Sequence, residues 1–266
     1  MTPPLADTVA IERALEARNA EVYAGFLLPH LRTDTIVLDC GCGEGTIAIG
    51  LSEAVPRGHV IGVDLGLDNL VAARRYTASI GRANLTWAMA DGRRLPFDDA
   101  SFEAVLCHSM LETLENPALV VAELRRVTKR GGVVGAASVE YAGVILGGER
   151  TEGPQRFYDI REQLWRAAGI AEPNTGRRLR GLFHEAGFGR IDAFAHYISY
   201  GTPDRIMAFA RDRVDECRQQ ELREAIARHG IASAEELVRL AERWEEWGQN
   251  PAAFFAFPWC RVLAWP

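Results

Sequence analysis

The sequence has no long hydrophobic run, no internal repeat and no low-complexity tract. A helix that crosses a bilayer needs about 18 or more mostly apolar residues, so a membrane span is not expected. Residues 1–18 carry acidic and arginine side chains instead of the apolar segment of a secretory signal peptide. We therefore expect a cytoplasmic protein.

Cysteine is scarce, with five residues in an odd-numbered, scattered set at positions 40, 42, 107, 217 and 260. Such a set is typical of reduced thiols and not of a disulfide framework. Cys40 and Cys42 form a C-x-C pair, which raises the question of a metal site. No second Cys or His cluster with ligand spacing accompanies the pair, so we expect no metal site.

Positively charged residues are fewer than negatively charged ones. The sequence has 30 Lys and Arg and 36 Asp and Glu, which give a formal net charge of −6. An acidic chain lacks the electrostatic footprint of a nucleic-acid-binding protein. We expect no nucleic-acid partner, although a local basic patch stays open. The 266 residues suffice for one domain with substantial insertions.

What the sequence does contain is a regular alternation of short apolar runs and helical patterns up to residue 140. The predicted elements are a strand at 35–40, a helix at 45–54, a strand at 59–64, a helix at 68–80, strands at 85–90 and 102–107, a helix at 117–127 and a strand at 133–139. This order predicts βαβ units and a mostly parallel sheet. Right-handed crossovers place the carboxyl ends of the strands at one edge, where ligands bind in such sheets.

The flanking regions show a different rhythm. We predict an amphipathic helix over 7–31, helical structure over 150–186 with breaks at Pro173 and Gly176, a sixth strand at 190–200, helices at 204–229 and 233–247, and a last strand at 254–265. These elements predict one domain, 1–266, whose core comprises about 20–140, 179–200 and 254–266 and whose helical cap or insertions comprise about 141–178 and 201–250. The C-terminal helices are a candidate surface for a homodimer.

A glycine loop, Gly41-Cys42-Gly43-Glu44-Gly45, follows the first predicted strand and precedes a helix. Glycines allow positive φ and close approach of the backbone to a ligand, and a helix start offers free N–H groups. The dinucleotide pattern G-x-G-x-x-G would need glycine where Thr46 stands. Asp39, ahead of the loop, would repel a pyrophosphate but suits a ligand that carries an ammonium group.

Two more acids end the next two strands. A carboxylate at Asp64 is placed to accept hydrogen bonds from ribose hydroxyls. Asp91 could accept a bond from an adenine amino group, and the Gly92 N–H could donate to a ring nitrogen. Strand-end Asp residues are also common turn formers and helix caps, but three in succession beside a glycine loop favour a nucleoside site.

These residues resemble the class I S-adenosylmethionine-dependent methyltransferases, particularly the ubiquinone/menaquinone-biosynthesis (UbiE-like) branch. The matching segments are VLDCGCGEGT (37–46), VIGVDLGLDNLVAAR (60–74), ADGRRLPFDDASFEAVLC (90–107), ENPALVVAELRRVTKRGG (115–132) and LRGLFHEAGF (179–188). The resemblance covers about residues 20–200. It implies an α/β, Rossmann-like, seven-stranded, mostly parallel sheet with the last strand antiparallel. It also implies S-adenosylmethionine as the cofactor and a small molecule as the methyl acceptor.

The resemblance and the strand-end positions together suggest a set of cofactor-binding residues. They are Tyr23, Asp39, Gly41, Cys42, Gly43, Asp64, Leu65, Asn69, Ala90, Asp91, Gly92 and His108. By the resemblance, Asp39, Gly41 and Gly43 hold the methionine end. The family often has Ser and Met where this chain has Gly66 and Asn69, so Leu65 and Asn69 are expected to supply the contacts to adenine.

His108 is the leading candidate for a general base, because imidazole takes up a proton near neutral pH. Ordering of the loop or contact with the cofactor is the alternative role for His108. Glu112 is a weaker candidate. Cys107-His108-Ser109-Met110 stands where methylators of nucleic-acid bases and glutamine amides carry an N-P-P-Tyr type motif, which argues against those acceptors.

The later half of the chain offers aromatic residues that could line an acceptor pocket or form core: Tyr141, Phe157, Tyr158, Trp165, Tyr197 and Tyr200. Trp244 and Trp247 are expected to anchor the appended helices or a subunit contact, and His184 and His196 are expected on the surface or in packing. Two functions stay open beside methyl transfer. One is a protein of the same fold that binds the cofactor but performs another task, such as cyclisation, and the other is an NAD-dependent oxidoreductase.

Overall fold

The computed structural model describes residues 19–169 and 172–266. Within them, eight strands form one sheet: β1 (Ile36–Cys40), β2 (His59–Asp64), β3 (Leu85–Met89), β4 (Phe102–His108), β5 (Thr128–Val139), β6 (Ile145–Gly147), β7 (Arg190–Tyr200) and β8 (Phe254–Trp265). Their order is β3-β2-β1-β4-β5-β8-β6, and β7 also pairs with β8. The pairs among β1 to β5 are parallel, whereas β6 and β8 are antiparallel. The predicted fold class, a mostly parallel Rossmann-like sheet with an antiparallel strand, is confirmed.

The described residues also form nine α-helices. They are α1 (Ala20–Tyr23), α2 (Thr46–Ala54), α3 (Leu67–Ser79), α4 (Pro117–Val127), α5 (Glu152–Ala167), α6 (Leu179–Glu185), α7 (Pro203–Arg218), α8 (Gln220–Arg228) and α9 (Ala234–Gly248). Short 3₁₀ turns lie at Leu28–His30, Leu111–Thr113, Tyr141–Gly143 and Gly176–Arg178. No helix of the described chain is both long and apolar enough to cross a membrane.

The chain divides into two units. Among the described residues, the core unit comprises 19–138, 175–194 and 260–266, and the helical unit comprises 139–174 and 195–259. Strands β5, β7 and β8 contribute residues to both units. The organisation as one domain with helical insertions stays a prediction.

Both faces of the sheet in the core unit are covered by apolar side chains, as a parallel sheet requires. Successive residues of a strand point to opposite faces, so Leu38 and Val37 belong to different hydrophobic clusters. Helices α4 and α6 supply side chains such as Leu124 and Phe183 to the first cluster. Helices α2 and α3 supply Leu51 and Leu70 to the second.

The helical unit has its own aromatic core, formed mainly by α5, α7, α9 and the first half of β8. Its fully buried side chains include Phe157, Trp244, Trp247 and Phe255. The core also holds a charged group, Glu216, whose carboxylate pairs with arginines of α5 and α7. The Trp247 Nε1–H donates to the carbonyl of Gly147 at 3.0 Å.

Three elements differ from the expectations. Of the helix predicted over 7–31, residues 7–18 lie outside the described residues, and the remainder forms only α1 and a 3₁₀ turn that begins at Leu28. Gly25 and Pro29 explain the break, since both residues disfavour a helix interior. The helix predicted over 204–229 is interrupted at Gln219, whose backbone is extended. The three-residue strand β6 lies in a segment for which no strand was predicted, so the sheet has eight strands where seven were expected.

Candidate active site

The carboxyl ends of β1, β2, β3 and β4 bring the predicted site residues to one edge of the core unit. Cys40 is in register with Val63, and Asp64 is in register with Met89. The N–H groups of Gly41 and Cys42 both donate to the carbonyl of Val63, at 2.8 and 3.0 Å. The glycine loop is therefore tied to the end of β2 directly after β1.

All three glycines of the loop have left-handed backbone conformations, with φ of +81° at Gly41, +52° at Gly43 and +81° at Gly45. L-residues with a side chain rarely adopt such φ values, which explains glycine at each position. Their surroundings differ, because a Cβ at Gly41 would lie 2.7 Å from Met110 Sδ and one at Gly45 would lie 2.2 Å from the Trp87 ring.

A Cβ at Gly43, in contrast, would have no described atom within 4 Å. Gly43 is thus the loop position whose missing side chain leaves the backbone accessible to a ligand. At Gly41 and Gly45, the space that a side chain would need is occupied by Met110 and Trp87. Neither Met110 nor Trp87 was recognised in the sequence as part of the site.

Asp39 is a buried carboxylate that has no counter-charge in the described part of the chain. Its side chain is 2% exposed, and the described residues place neither a cation within salt-bridge distance nor a hydrogen-bond donor at its carboxylate. Burial, and to a smaller extent the charge of Asp64, raise the pKa of Asp39 to about 7. A carboxylate held in this way is stabilised in its ionised form by an incoming cationic group.

The Asp64 carboxylate joins two loops. Its Oδ2 accepts the N–H of Gly43 at 2.9 Å, and its Oδ1 accepts the N–H of Gly66 at 2.7 Å and the Asn69 amide at 3.4 Å. A carboxylate offers about four acceptor positions, so Oδ2 retains capacity for a ligand hydroxyl. A Cβ at position 66 would lie 2.8 Å from Asn69 Nδ2, which explains why Gly66 accompanies Asn69.

The segment after β3 holds Asp91 in a local turn. Asp91 Oδ1 accepts the N–H of Arg93 at 2.9 Å, and the Arg93 guanidinium pairs with the carboxylate at 2.7 Å. These bonds lower the pKa of Asp91. Gly92 is buried, and a Cβ there would lie 2.7 Å from Met110 Cε. The Asp91 carboxylate therefore already has partners on the protein in addition to the adenine contact that was predicted.

Apolar surface flanks these acids. Leu65 is 59% exposed, and Met89, which the sequence reasoning did not single out, is 64% exposed at the end of β3. Two exposed apolar side chains at adjacent strand ends suit the face of an aromatic ring. Ala90 is half-buried, and the thiol of Cys42 donates to the carbonyl of Gly43.

His108 ends β4 with only 5% of its surface exposed. The Tyr23 ring contacts the His108 ring edge to face, with centroids 5.3 Å apart. The structure thus brings together two residues that the sequence suggested separately. Next to them, Glu112 is buried and not solvated, and its carboxylate accepts the Ser138 hydroxyl at 2.8 Å.

The nearby thiols are poor nucleophiles. Burial raises the pKa of Cys40, Cys42 and Cys107 well above the ordinary value, and neighbouring carboxylates add to the effect. A neutral, buried thiol behaves as a small apolar group. Across residues 19–169 and 172–266, no group of three or more His, Cys, Asp and Glu side chains is arranged to hold a metal ion.

The aromatic residues suggested for an acceptor pocket lie in the helical unit. Phe157 and Tyr158 are buried in its core, and Tyr141 and Tyr200 pack against that core. The Trp165 ring contacts the Tyr141 ring at a tilted angle, with centroids 5.0 Å apart, and the Tyr197 hydroxyl donates to the carbonyl of Gly143. Their role in acceptor binding stays a prediction. His184 and His196 are exposed.

Comparison with known proteins points to one family. Residues 37–132 match the family model described as a methyltransferase domain. An uncharacterised methyltransferase of Schizosaccharomyces pombe is 26% identical over 246 residues, which cover 90% of this chain and 87% of that protein. The ubiquinone/menaquinone biosynthesis C-methyltransferase UbiE of Desulfotalea psychrophila is 36% identical over 96 residues, 36% of this chain and 38% of the relative.

The fold is also similar to that of a solved structure, the YcgJ protein from Bacillus subtilis. The TM-score is 0.60 at 17% identity, with 91% of this chain and 96% of the other covered. This likeness concerns the fold alone. The family match, by contrast, spans the strand ends that carry Asp39, Asp64 and Asp91.

Proposed function

We propose that this chain is a class I S-adenosylmethionine-dependent methyltransferase and that it methylates an oxygen, nitrogen or carbon atom of a small molecule. Bound S-adenosylmethionine supplies an electrophilic methyl group on a sulfonium that lies next to a cationic amino-acid tail. The observation that carries the proposal is Asp39, a buried carboxylate with a raised pKa and no counter-charge among residues 19–169 and 172–266.

We assign the cofactor contacts residue by residue. Asp39, Gly41, Cys42 and Gly43 bind the methionine end, where Gly43 leaves its backbone accessible. Asp64 accepts the ribose hydroxyls through the remaining capacity of its carboxylate. Asn69 orients Asp64 through its amide. Leu65, Ala90, Asp91 and Gly92 surround the adenine, with Leu65 on its face.

We assign His108 as the group that takes a proton from the acceptor, with Tyr23 fixing the imidazole through the ring contact. Because His108 is almost fully buried, bulk water has little access to its imidazole. A correctly placed base contributes about 10²–10⁴-fold to the rate. The remaining acceleration comes from holding the acceptor in line with the methyl group, which can contribute about 7–11 kcal/mol.

The proposal is tested with radiolabelled S-adenosylmethionine and a panel of small phenols, quinols, amines and carboxylic acids. We expect label in at least one small acceptor and none in added nucleic acid or protein. Label that enters only a macromolecule would contradict the proposed acceptor class.

The role of His108 is tested with His108→Gln and the exposed control His184→Gln. If His108 accepts the proton, kcat falls about 10²-fold or more, while the affinity for S-adenosylhomocysteine stays within about threefold. A parallel loss of affinity and kcat would instead assign His108 to cofactor contact. His184→Gln is expected to match the wild type in both measurements.

A further inference from the structure

One side chain, that of Met110, lies against both glycine segments of the proposed cofactor site. A Cβ at Gly41 would lie 2.7 Å from Met110 Sδ and 3.0 Å from its Cβ and Cγ. A Cβ at Gly92 would lie 2.7 Å from Met110 Cε. Met110 therefore fills the space between the loop after β1 and the segment after β3, and glycine at both positions admits it.

The sulfur of Met110 also contacts the strands beneath these segments. Sδ lies 4.0 Å from Cys40 Sγ and 3.9 Å from Cys107 Sγ. Both thiols are buried and uncharged, so these contacts are packing between polarizable sulfur atoms. The side chain thus touches the ends of β1 and β4 as well as the two glycine segments.

The backbone at Met110 is held firmly. Ser109 adopts a left-handed φ of +56°, and its N–H donates to the carbonyl of Ala137 at 2.9 Å. The Met110 carbonyl accepts the N–H and the hydroxyl of Thr113, at 2.9 and 2.7 Å. A left-handed non-glycine residue costs about 1–3 kcal/mol and persists only where the surrounding structure fixes it. The Met110 side chain therefore projects from a fixed turn.

We propose that Met110 is a positioning residue that sets the distance between the two ends of the cofactor site. The inference rests on the proposed function, because it requires one ligand to contact the Gly41 and Gly92 segments together. A ligand that spans two segments binds best when both are already held at the right separation. Methionine suits the task, since its unbranched side chain fills an irregular gap between four neighbours.

The test is a size exchange between Met110 and Gly92, read by calorimetric titration with S-adenosylhomocysteine. Met110→Ala should lower the affinity about tenfold, and Met110→Leu, which keeps most of the volume, should stay within about threefold of wild type. Gly92→Ala should lower the affinity more than tenfold, because its Cβ displaces Met110. The double variant Gly92→Ala/Met110→Ala should bind more tightly than Gly92→Ala alone.

Thermal unfolding separates positioning from a general contribution to stability, because a residue that only stabilises the fold would lower the unfolding temperature without lowering the affinity of the folded protein. Met207→Ala, an exposed methionine in the helical unit, is the matched control and should leave the affinity unchanged. Thermal unfolding followed by circular dichroism checks that each variant is folded, and Met110→Val replaces Met110→Ala if the latter does not fold.

An affinity of Met110→Ala equal to wild type, or a double variant weaker than Gly92→Ala, overturns the positioning role alone. Failure of the wild-type protein to bind S-adenosylhomocysteine overturns the proposed function and this inference with it.

Discussion

At the level of single residues, Asp39 couples cofactor binding to pH. Its pKa is about 7 in the absence of a counter-charge, and the cationic amino-acid tail of the ligand favours the ionised form. The affinity for S-adenosylhomocysteine should therefore rise by up to about tenfold per pH unit below pH 7 and level off above it. Asp39→Asn should bind weakly and with little pH dependence. Titrations between pH 5.5 and 8.5 measure both slopes, and equal slopes would contradict the role of Asp39.

The raised pKa of Asp39 also makes the stability of the ligand-free protein depend on pH. Stability falls as the pH rises, whereas the affinity for the ligand increases. The folded protein holds the Asp39 proton more tightly than the unfolded chain, whose value is near 3.8. Protonated Asp39 therefore contributes its full stabilising free energy below about pH 4, and this contribution is lost as the pH rises through 7. A shift of three units corresponds to at most about 4 kcal/mol. Without ligand, Asp39→Asn should be more stable than wild type at pH 8, as denaturant unfolding would show.

The loop glycines should divide into a binding class and a packing class. Gly43→Ala places a methyl group where no described atom lies, so it should weaken S-adenosylhomocysteine binding more than tenfold and cost only about 1–2 kcal/mol of stability for the left-handed φ. Gly45→Ala adds overlap with the Trp87 ring and should cost about 2–5 kcal/mol.

Gly81 provides the control for these variants, because it has a φ of +67° and no described neighbour within 4 Å of a Cβ. Gly81→Ala should lose the same stability as Gly43→Ala and keep the wild-type affinity. Equal affinities for the Gly43 and Gly81 variants would remove Gly43 from the ligand site.

The sequence indicated the acids and glycines of this edge because parallel strands end together, so their order along the chain places them. It did not indicate Met110 or Trp87. Their importance depends on which side chain enters the space beside Gly41 or Gly45, and this is a contact between segments distant in sequence. The open space at Gly43 could not be predicted for the same reason. The pattern G-x-G-x-G does not show which of its three glycines faces protein atoms and which faces open space.

At the level of elements, strands were easier to predict than helix ends. Strands β1, β2 and β4 are short apolar runs that are largely buried on both faces, which is a strong local signal. The break between α7 and α8 at Gln219 involves neither glycine nor proline, so no local signal marks it. Gly25 and Pro29 do indicate that α1 ends early. The prediction of a longer helix gave more weight to the apolar periodicity.

The short helix α1 is held to the sheet by Arg261 of β8. This guanidinium is only 5% exposed, donates to the carbonyl of Val22 at 2.8 Å and lies 5.0 Å from the centre of the Phe26 ring. Arg261→Gln should therefore loosen residues 20–27, which include Tyr23. We expect faster hydrogen exchange there and about threefold weaker S-adenosylhomocysteine binding, since Tyr23 is among the residues that the sequence suggests for cofactor binding but is not one of its main contacts.

The exposed Arg228 at the end of α8 gives the control Arg228→Gln, for which exchange over residues 20–27 should match wild type. Unchanged exchange in Arg261→Gln would show that other contacts of α1 suffice to hold it.

At the level of the whole molecule, the proposed cofactor contacts all lie in the core unit, whereas Glu216 lies in the helical unit. Glu216 is 1% exposed and pairs with Arg161 of α5 and Arg213 of α7. Glu216→Gln leaves two largely buried cations without their carboxylate, a change that typically costs about 3–5 kcal/mol. For a chain of this size, we expect the thermal unfolding that involves the helical unit to occur about 6–20 °C lower.

Cofactor binding should respond differently, because no proposed contact involves the helical unit. The measurement is made at about 20 °C, which is below the thermal unfolding temperature of a typical domain. There, Glu216→Gln should bind S-adenosylhomocysteine with an affinity within about twofold of wild type. Glu246→Gln is the control, since Glu246 also pairs with two arginines but is exposed, and its loss should change neither property. If Glu216→Gln lost affinity in proportion to its stability, the helical unit would have to contribute to the cofactor site, and the assignment of that site to the core unit alone would be wrong.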